Sequence, residues 1–126
     1  MKLVNLAFRV ARIAEAEAMV ANTPGWRWRA MHQIGEDRFL EAEFGGVKVN
    51  FFEVALYDRP GSPPAPGFLH ASYGVPDLAA MLANPAWAGA LIHPPQRISG
   101  GFGTRDIAFF EPLPGCRIEL MEQQDD

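Results

Sequence analysis

The chain has 126 residues and a mass of 13.9 kDa, with 48% hydrophobic and 21% charged side chains, enough for one well-buried domain. A formal net charge of −4 and a pI near 5.3 argue against a nucleic-acid binder, which needs a basic stripe to displace counterions. No apolar run approaches the roughly 18 residues of a membrane span, Arg9 and Arg12 interrupt the N-terminal apolar stretch before it resembles a secretory core, and the one cysteine, Cys116, cannot form an internal disulfide, so a reducing cytoplasm is the expected compartment.

In chain order, Val4, Leu6, Phe8 and Val10 alternate with Asn5, Ala7 and Arg9, the period-two pattern of a strand with one apolar face. The period then lengthens: Ile13, Ala16, Met19 and Val20 predict a helix, with Glu15 and Glu17 near its positive end and Asn22-Thr23-Pro24-Gly25 as its stop. Three strands follow over 26–34, 38–44 and 47–56, separated by turns at 35–37 and Gly45-Gly46. Prolines 60, 63, 64 and 66 with Gly61 and Gly67 make 58–67 a linker. The order then repeats as a strand over 68–75, a helix opened by Pro76-Asp77 and stopped near Pro85, an edge strand over 90–98 broken by Pro94-Pro95, a glycine loop over 100–103, and strands over 104–111 and 116–122. Residues 123–126 form an acidic tail.

The repeat is visible in the residues themselves. Val47-Lys48-Val49-Asn50-Phe51-Phe52-Glu53 matches Cys116-Arg117-Ile118-Glu119-Leu120-Met121-Glu122 class for class, 69 positions on, and the stretch from Asn5 matches that from His70, 65 positions on. Self-similarity on this scale marks one supersecondary unit used twice. The expected fold is α+β, two tandem βαβββ modules forming a curved mixed sheet around a central cavity, in a single domain with module one at 1–57 and module two at 68–122. Alternation puts Asn5, Ala7 and Arg9, Lys48, Asn50 and Phe52, His70, Ser72 and Gly74, and Arg117, Glu119 and Met121 on the faces away from the helices.

The closing run Ala108-Phe109-Phe110-Glu111-Pro112-Leu113-Pro114-Gly115-Cys116-Arg117-Ile118-Glu119-Leu120-Met121-Glu122, on a doubled βαβββ skeleton, resembles the vicinal oxygen chelate superfamily, which includes glyoxalase I, bleomycin-resistance proteins, fosfomycin-resistance enzymes and extradiol dioxygenases. The resemblance covers essentially the whole chain. It implies a glyoxalase-like fold and a divalent metal held by side chains of the first and last strands of each module. Those positions fall on Asn5, Asn50, His70 and Glu119, of which only His70 and Glu119 keep strong ligands, so the metal site it implies is degenerate, weakly occupied or absent.

Three readings stay open. One is a metal-dependent dioxygenase or glyoxalase; another is a lyase or isomerase without a tight metal, with His70 and Glu119 as its catalytic pair; the third is a non-catalytic protein that sequesters a drug or metabolite. The second is preferred, with Asn5, Arg9, Lys48, Asn50, Phe52, Ser72, Arg117 and Met121 lining the substrate site. Their basic members favour a small, oxygen-rich, anionic metabolite. A homodimer is expected, because incompletely closed sheets leave edges to cover and this superfamily often pairs its modules. Set against these readings is a bland one, in which His70 hydrogen-bonds Glu119 and the asparagines complete a buried polar network. His32 and His93 read as surface or edge residues, Cys116 as a small core residue facing a helix, Trp26, Trp28 and Phe39 as packing, and Gly100 to Gly103 as a mobile loop.

Overall fold

The computed structural model describes residues 1–54, 65–100 and 103–123. Most of the expected linker, Gly101 and Phe102 of the glycine loop, and the tail beyond Gln123 lie outside the described residues. Eight strands and three helices are described: β1 (Lys2–Arg9), α1 (Ile13–Asn22), β2 (Trp26–Ile34), β3 (Asp37–Phe44), β4 (Val47–Phe52), β5 (Gly67–Val75), α2 (Leu78–Leu82), α3 (Pro85–Ala88), β6 (Leu91–Gly100), β7 (Gly103–Leu113) and β8 (Cys116–Glu122). The chain divides into two compact units, Asn5–Leu69 and His70–Asp126, the latter joined by Met1–Val4.

In the first unit the strand order is β2-β3-β4-β1. The β2–β3 and β3–β4 pairs are antiparallel, while β1 runs parallel to β4 with Ala7 opposite Asn50. Gly45 and Gly46 close the β3–β4 hairpin with φ of 60° and 81°, a turn that side-chain-bearing residues seldom accept. Ile13, Ala16 and Val20 of α1 pack on Leu40, Ala42, Val49 and Phe51, so the helix covers the face that alternation assigned to it. Leu69, which alternation with His70 and Ser72 assigns to the helix-facing register, packs instead against Ala7 and Phe52.

The second unit repeats the pattern with strand order β5-β8-β7-β6, where β5 is parallel to β8 and the other pairs are antiparallel. Val75, Leu78, Ala108, Phe110 and Leu120 form its core, against which Trp87 and Met81 pack. Three expectations fail here. Pro85 does not only end a helix; it opens α3 at the first helical position, where its missing N–H costs nothing, and Asn84 caps Ala86 N–H at 2.9 Å. Cys116 is exposed, because the β7–β8 turn carries the first residue of β8 beyond the cover of the helices. Gly100 and Gly103 are paired strand residues at the end of the β6–β7 hairpin.

The repeat has a structural counterpart at its last residue. Glu53 Oε2 accepts the N–H of Ile13 at 2.8 Å, and Glu122 Oε1 accepts the N–H of Leu78 at 3.1 Å. In each unit the glutamate that ends the repeated run caps that unit's first helix, placing negative charge at the positive end of the helix. Arg12, at the N-cap of α1, makes no side-chain cap, so Glu53 supplies what the local sequence lacks.

Candidate functional site

Five polar side chains are buried among the described residues: Asn5, Asn50, His70, Ser72 and Glu119. All five lie on positions that alternation assigned to the faces away from the helices. Burial of a polar group costs free energy unless it is hydrogen-bonded, so such a set marks either a satisfied network or a site.

The second unit holds the titratable members. His70 and Ser72 stand two apart on β5, and Ser72 is the register partner of Glu119 on β8. Ser72 Oγ donates to Glu119 Oε1 at 2.5 Å, while His70 Nε2 lies 3.8 Å from the same oxygen, outside hydrogen-bond range. Ser72, expected to line the substrate site, is fully buried and holds the carboxyl group. Burial pushes the Glu119 carboxyl up to about 7, with the Ser72 bond pulling against it. Burial, and then the positive Arg117, hold the His70 imidazole down at about 3. His70 is therefore neutral at ordinary pH, and Glu119 changes protonation near neutrality; the two do not form an ion pair. Phe109, the register partner of Glu119 on β7, meets His70 edge-on with ring centroids 5.2 Å apart. Arg117 Nε donates to Glu111 Oε2 at 3.1 Å, and Met121 is half-buried opposite Gly74.

In the first unit the matching positions carry no titratable group. Asn50 is buried beside Ala7, where the second unit has Ser72, and its Oδ1 has no hydrogen-bond partner among the described residues. Lys48 is exposed opposite Asn5 and Glu43, Arg9 Nε donates to the carbonyl of Glu53 at 2.9 Å, and Phe52 stacks on Phe39 at 4.7 Å. The polar residues of this face that the repeat did not reveal are Glu41 and its partners. Glu41, opposite Asn50, accepts from His32 Nε2 and from Arg29 Nε, each at 3.1 Å. His32 does stand on an edge strand, but its side chain is only 9% exposed. Alternation of Glu41 with Leu40 and Ala42 was the available signal for this group. Of the aromatic residues read as packing, Trp26 and Phe39 do pack, whereas Trp28 is 56% exposed.

A cleft of about 500 Å³ lies between α2 and the β6–β7 hairpin, lined by Leu78, Leu82, Arg97, Asp106 and Glu122. Its charges serve each other and the helix: Arg97 grips Asp106 at 2.8 and 3.2 Å, and Glu122 caps α2.

No family model matches the chain, and no curated protein matches it. Solved structures do. A hypothetical protein from Bacillus halodurans C-125 is similar at 19% identity and a TM-score of 0.76, over 99% of this chain and 96% of that one. A variant of Streptomyces coelicolor methylmalonyl-CoA epimerase, in complex with 2-nitronate-propionyl-CoA, is similar at 16% identity and a TM-score of 0.71, over 99% of both chains. A glyoxalase/bleomycin resistance protein/dioxygenase superfamily member from Vibrio splendidus 12B01 is similar at 15% identity and a TM-score of 0.63, over 96% of this chain and 98% of that one. The fold is the glyoxalase-like fold of the vicinal oxygen chelate superfamily.

The donors present do not match the metal that the family resemblance implies. His70 and Glu119 supply one imidazole and one carboxyl, and the carboxyl oxygen nearer His70 is already bonded by Ser72. Among the described residues no three histidine, cysteine, aspartate or glutamate side chains are grouped to hold a metal ion. A tightly held transition metal needs three or four such ligands, so the donor set does not fit one.

Proposed function

We propose that this protein binds a small, oxygen-rich, anionic metabolite against the polar face of its second unit and moves a proton on it, as a lyase or isomerase. The observation that carries this reading is Glu119: a buried carboxyl held by Ser72, poised near pH 7, with a neutral imidazole 3.8 Å away. A carboxyl that titrates near the working pH serves as acid or base with little energetic penalty in either direction. His70, held neutral, is suited to hydrogen-bond an oxygen of the substrate; with so low a basicity it is poorly suited to hold a proton. Arg117 adds positive potential beside His70, favouring a carbonyl or carboxylate there.

The epimerase named among the similar structures suggests where to begin the search for substrate, with carboxylated acyl thioesters and 2-oxo acids. Incubation in heavy water, followed by proton NMR, reads exchange of the hydrogen next to the carbonyl. We expect at least one compound to lose that signal with the intact protein, and Glu119→Gln to slow the loss by about 100-fold or more. Saturable binding without exchange of any compound, with or without added zinc, nickel or manganese, would overturn the enzymatic reading in favour of sequestration. Exchange that requires the added metal would favour the glyoxalase or dioxygenase alternative. The same reading includes a cytoplasmic location and a homodimer; light scattering that shows only monomer at high concentration would remove the dimer. Among the described residues no helix is long and apolar enough to cross a membrane.

A further inference from the structure

His93 was expected to be an ordinary edge residue, and it does lie on β6, the outermost strand of the second unit's order. Its setting is not ordinary. The β6–β7 register shifts on both sides of it, between Leu91 and His93 and again between His93 and Gln96, where Pro94-Pro95 interrupts the ladder. Such irregularities re-aim a side chain and are frequent beside active sites.

The ring is then fixed by two contacts. Nδ1 lies 3.0 Å from the carbonyl oxygen of Pro94, and because a carbonyl can only accept, Nδ1 carries the proton. In the neutral ring this leaves the lone pair on Nε2, for which no partner stands among the described residues. The ring also meets Phe109 edge-on, with centroids 6.1 Å apart. Phe109 is the same ring that His70 touches, and it is the register partner both of His93 and of Glu119. Ser72, Glu119, Phe109 and His93 therefore form one row across four strands, with two proton-handling groups on either side of an apolar ring. At a strand spacing of about 4.8 Å, the backbones of Glu119 and His93 stand on the order of 10 Å apart, with Phe109 on the strand between them.

We propose that His93 is a second proton-transfer residue of this site, acting across Phe109 from Glu119 on the same enolisable carbon. The proposal rests on the proton-transfer reading above and adds a residue to it. His93 Nε2 takes the proton from the carbon, the C–H electron pair moves into the carbonyl to give an enolate, and Glu119 in its acid form delivers a proton to the opposite face. The proton on Nε2 and the vacancy on Glu119 are then exchanged with water, and no oxidant or reductant is needed. The class of substrate this fits is a carbonyl compound with a stereocentre at the neighbouring carbon.

His93→Asn tests the assignment, because the amide of asparagine reproduces the Nδ1 donor to Pro94 while removing Nε2. We expect the intact protein to interconvert two isomers and His93→Asn to lose interconversion by about 100-fold or more. The variant should still exchange the hydrogen of one isomer with heavy water, through Glu119, and not that of the other. Interconversion undiminished in His93→Asn would overturn the role of His93 and leave the reading of Glu119 standing. Nitrogen NMR that finds the proton of neutral His93 on Nε2 would overturn it whatever the activity. No exchange of any compound by the intact protein would overturn both.

Discussion

The two units are built alike at the helix and differently at the polar face. Glu53 and Glu122, equivalent in the repeat, cap α1 and α2 in the same way. On the other face, Asn5, Ala7 and Asn50 stand where the second unit has His70, Ser72 and Glu119. The hydroxyl of Ser72 gives Glu119 a donor, whereas Ala7 gives Asn50 none, and Asn50 Oδ1 is left unpaired among the described residues. The scaffold positions are thus kept in both units, while the titratable groups are concentrated in one. In the first unit, Glu41 and His32 sit one and two strands farther out than Asn50 and bond each other.

A change of pH should separate the two units most strongly. Burial holds the Glu119 carboxyl at about 7 in the folded chain against its ordinary 4.5, so between those values the folded state holds the extra proton and stability falls as pH rises, by about 3 kcal/mol in all. His70 titrates at about 3 against 6.5, so the unfolded state holds the extra proton and stability falls as pH falls through that range, by about 5 kcal/mol. The two slopes oppose each other between pH 4.5 and 6.5 and should nearly cancel. Glu119→Gln should expose a stability that rises with pH over that interval, and His70→Asn one that falls. Urea denaturation across the range measures both, and flat profiles in the two variants would show that neither group is perturbed. Changes at Asn5 and Asn50 should leave the profile as it is.

Ser72→Ala should come next in size. It leaves Glu119 Oε1 buried without its donor, at a cost of about 1 to 3 kcal/mol read by thermal or urea denaturation, whereas Ser72→Thr should keep most of the stability. Removing the caps, by Glu53→Ala and by Glu122→Ala, should each cost about 1 kcal/mol. The loss should be larger for Glu53, since α1 has no cap from Arg12, while Asp77 also caps α2. Equal, negligible losses would mean that the repeated glutamates are not kept for the helices. The smallest effect sharpens the contrast from the other side: Ala7→Ser should give Asn50 the donor it lacks and stabilise by at most about 1 kcal/mol, limited by the contact of Ala7 with Leu69. A net loss would show that Asn50 Oδ1 points away from Ala7.

Much of this was legible from residue order. β2 and β8 fall on their expected spans, and Gly45-Gly46 announced its hairpin. The repeat singled out four of the five buried polar residues, because matching two copies of one pattern reveals shared positions without a structure. It could not show what each position touches. That Ser72 serves Glu119 depends on parallel register between strands 47 positions apart, and that His93 is turned toward Phe109 depends on a break at two prolines. Alternation assigns a face but not how far along a strand the helices reach, which is why Cys116 emerges exposed. Pro85 was read as a stop because the same residue type ends one helix and begins another.

The glutamate caps also bear on how the chain reaches its folded state. A cap supplied by a neighbouring residue forms as soon as the helix does, but Glu53 lies 40 positions from Ile13 and Glu122 lies 44 from Leu78. Each helix therefore receives that stabilisation only after the last strand of its unit has docked, which ties helix and sheet into one cooperative step and raises the share of long-range contacts that slow folding. For the second unit the latch is 44 positions downstream of the helix it serves, so α2 waits until the rest of its own unit has been made before its first turn is fully capped.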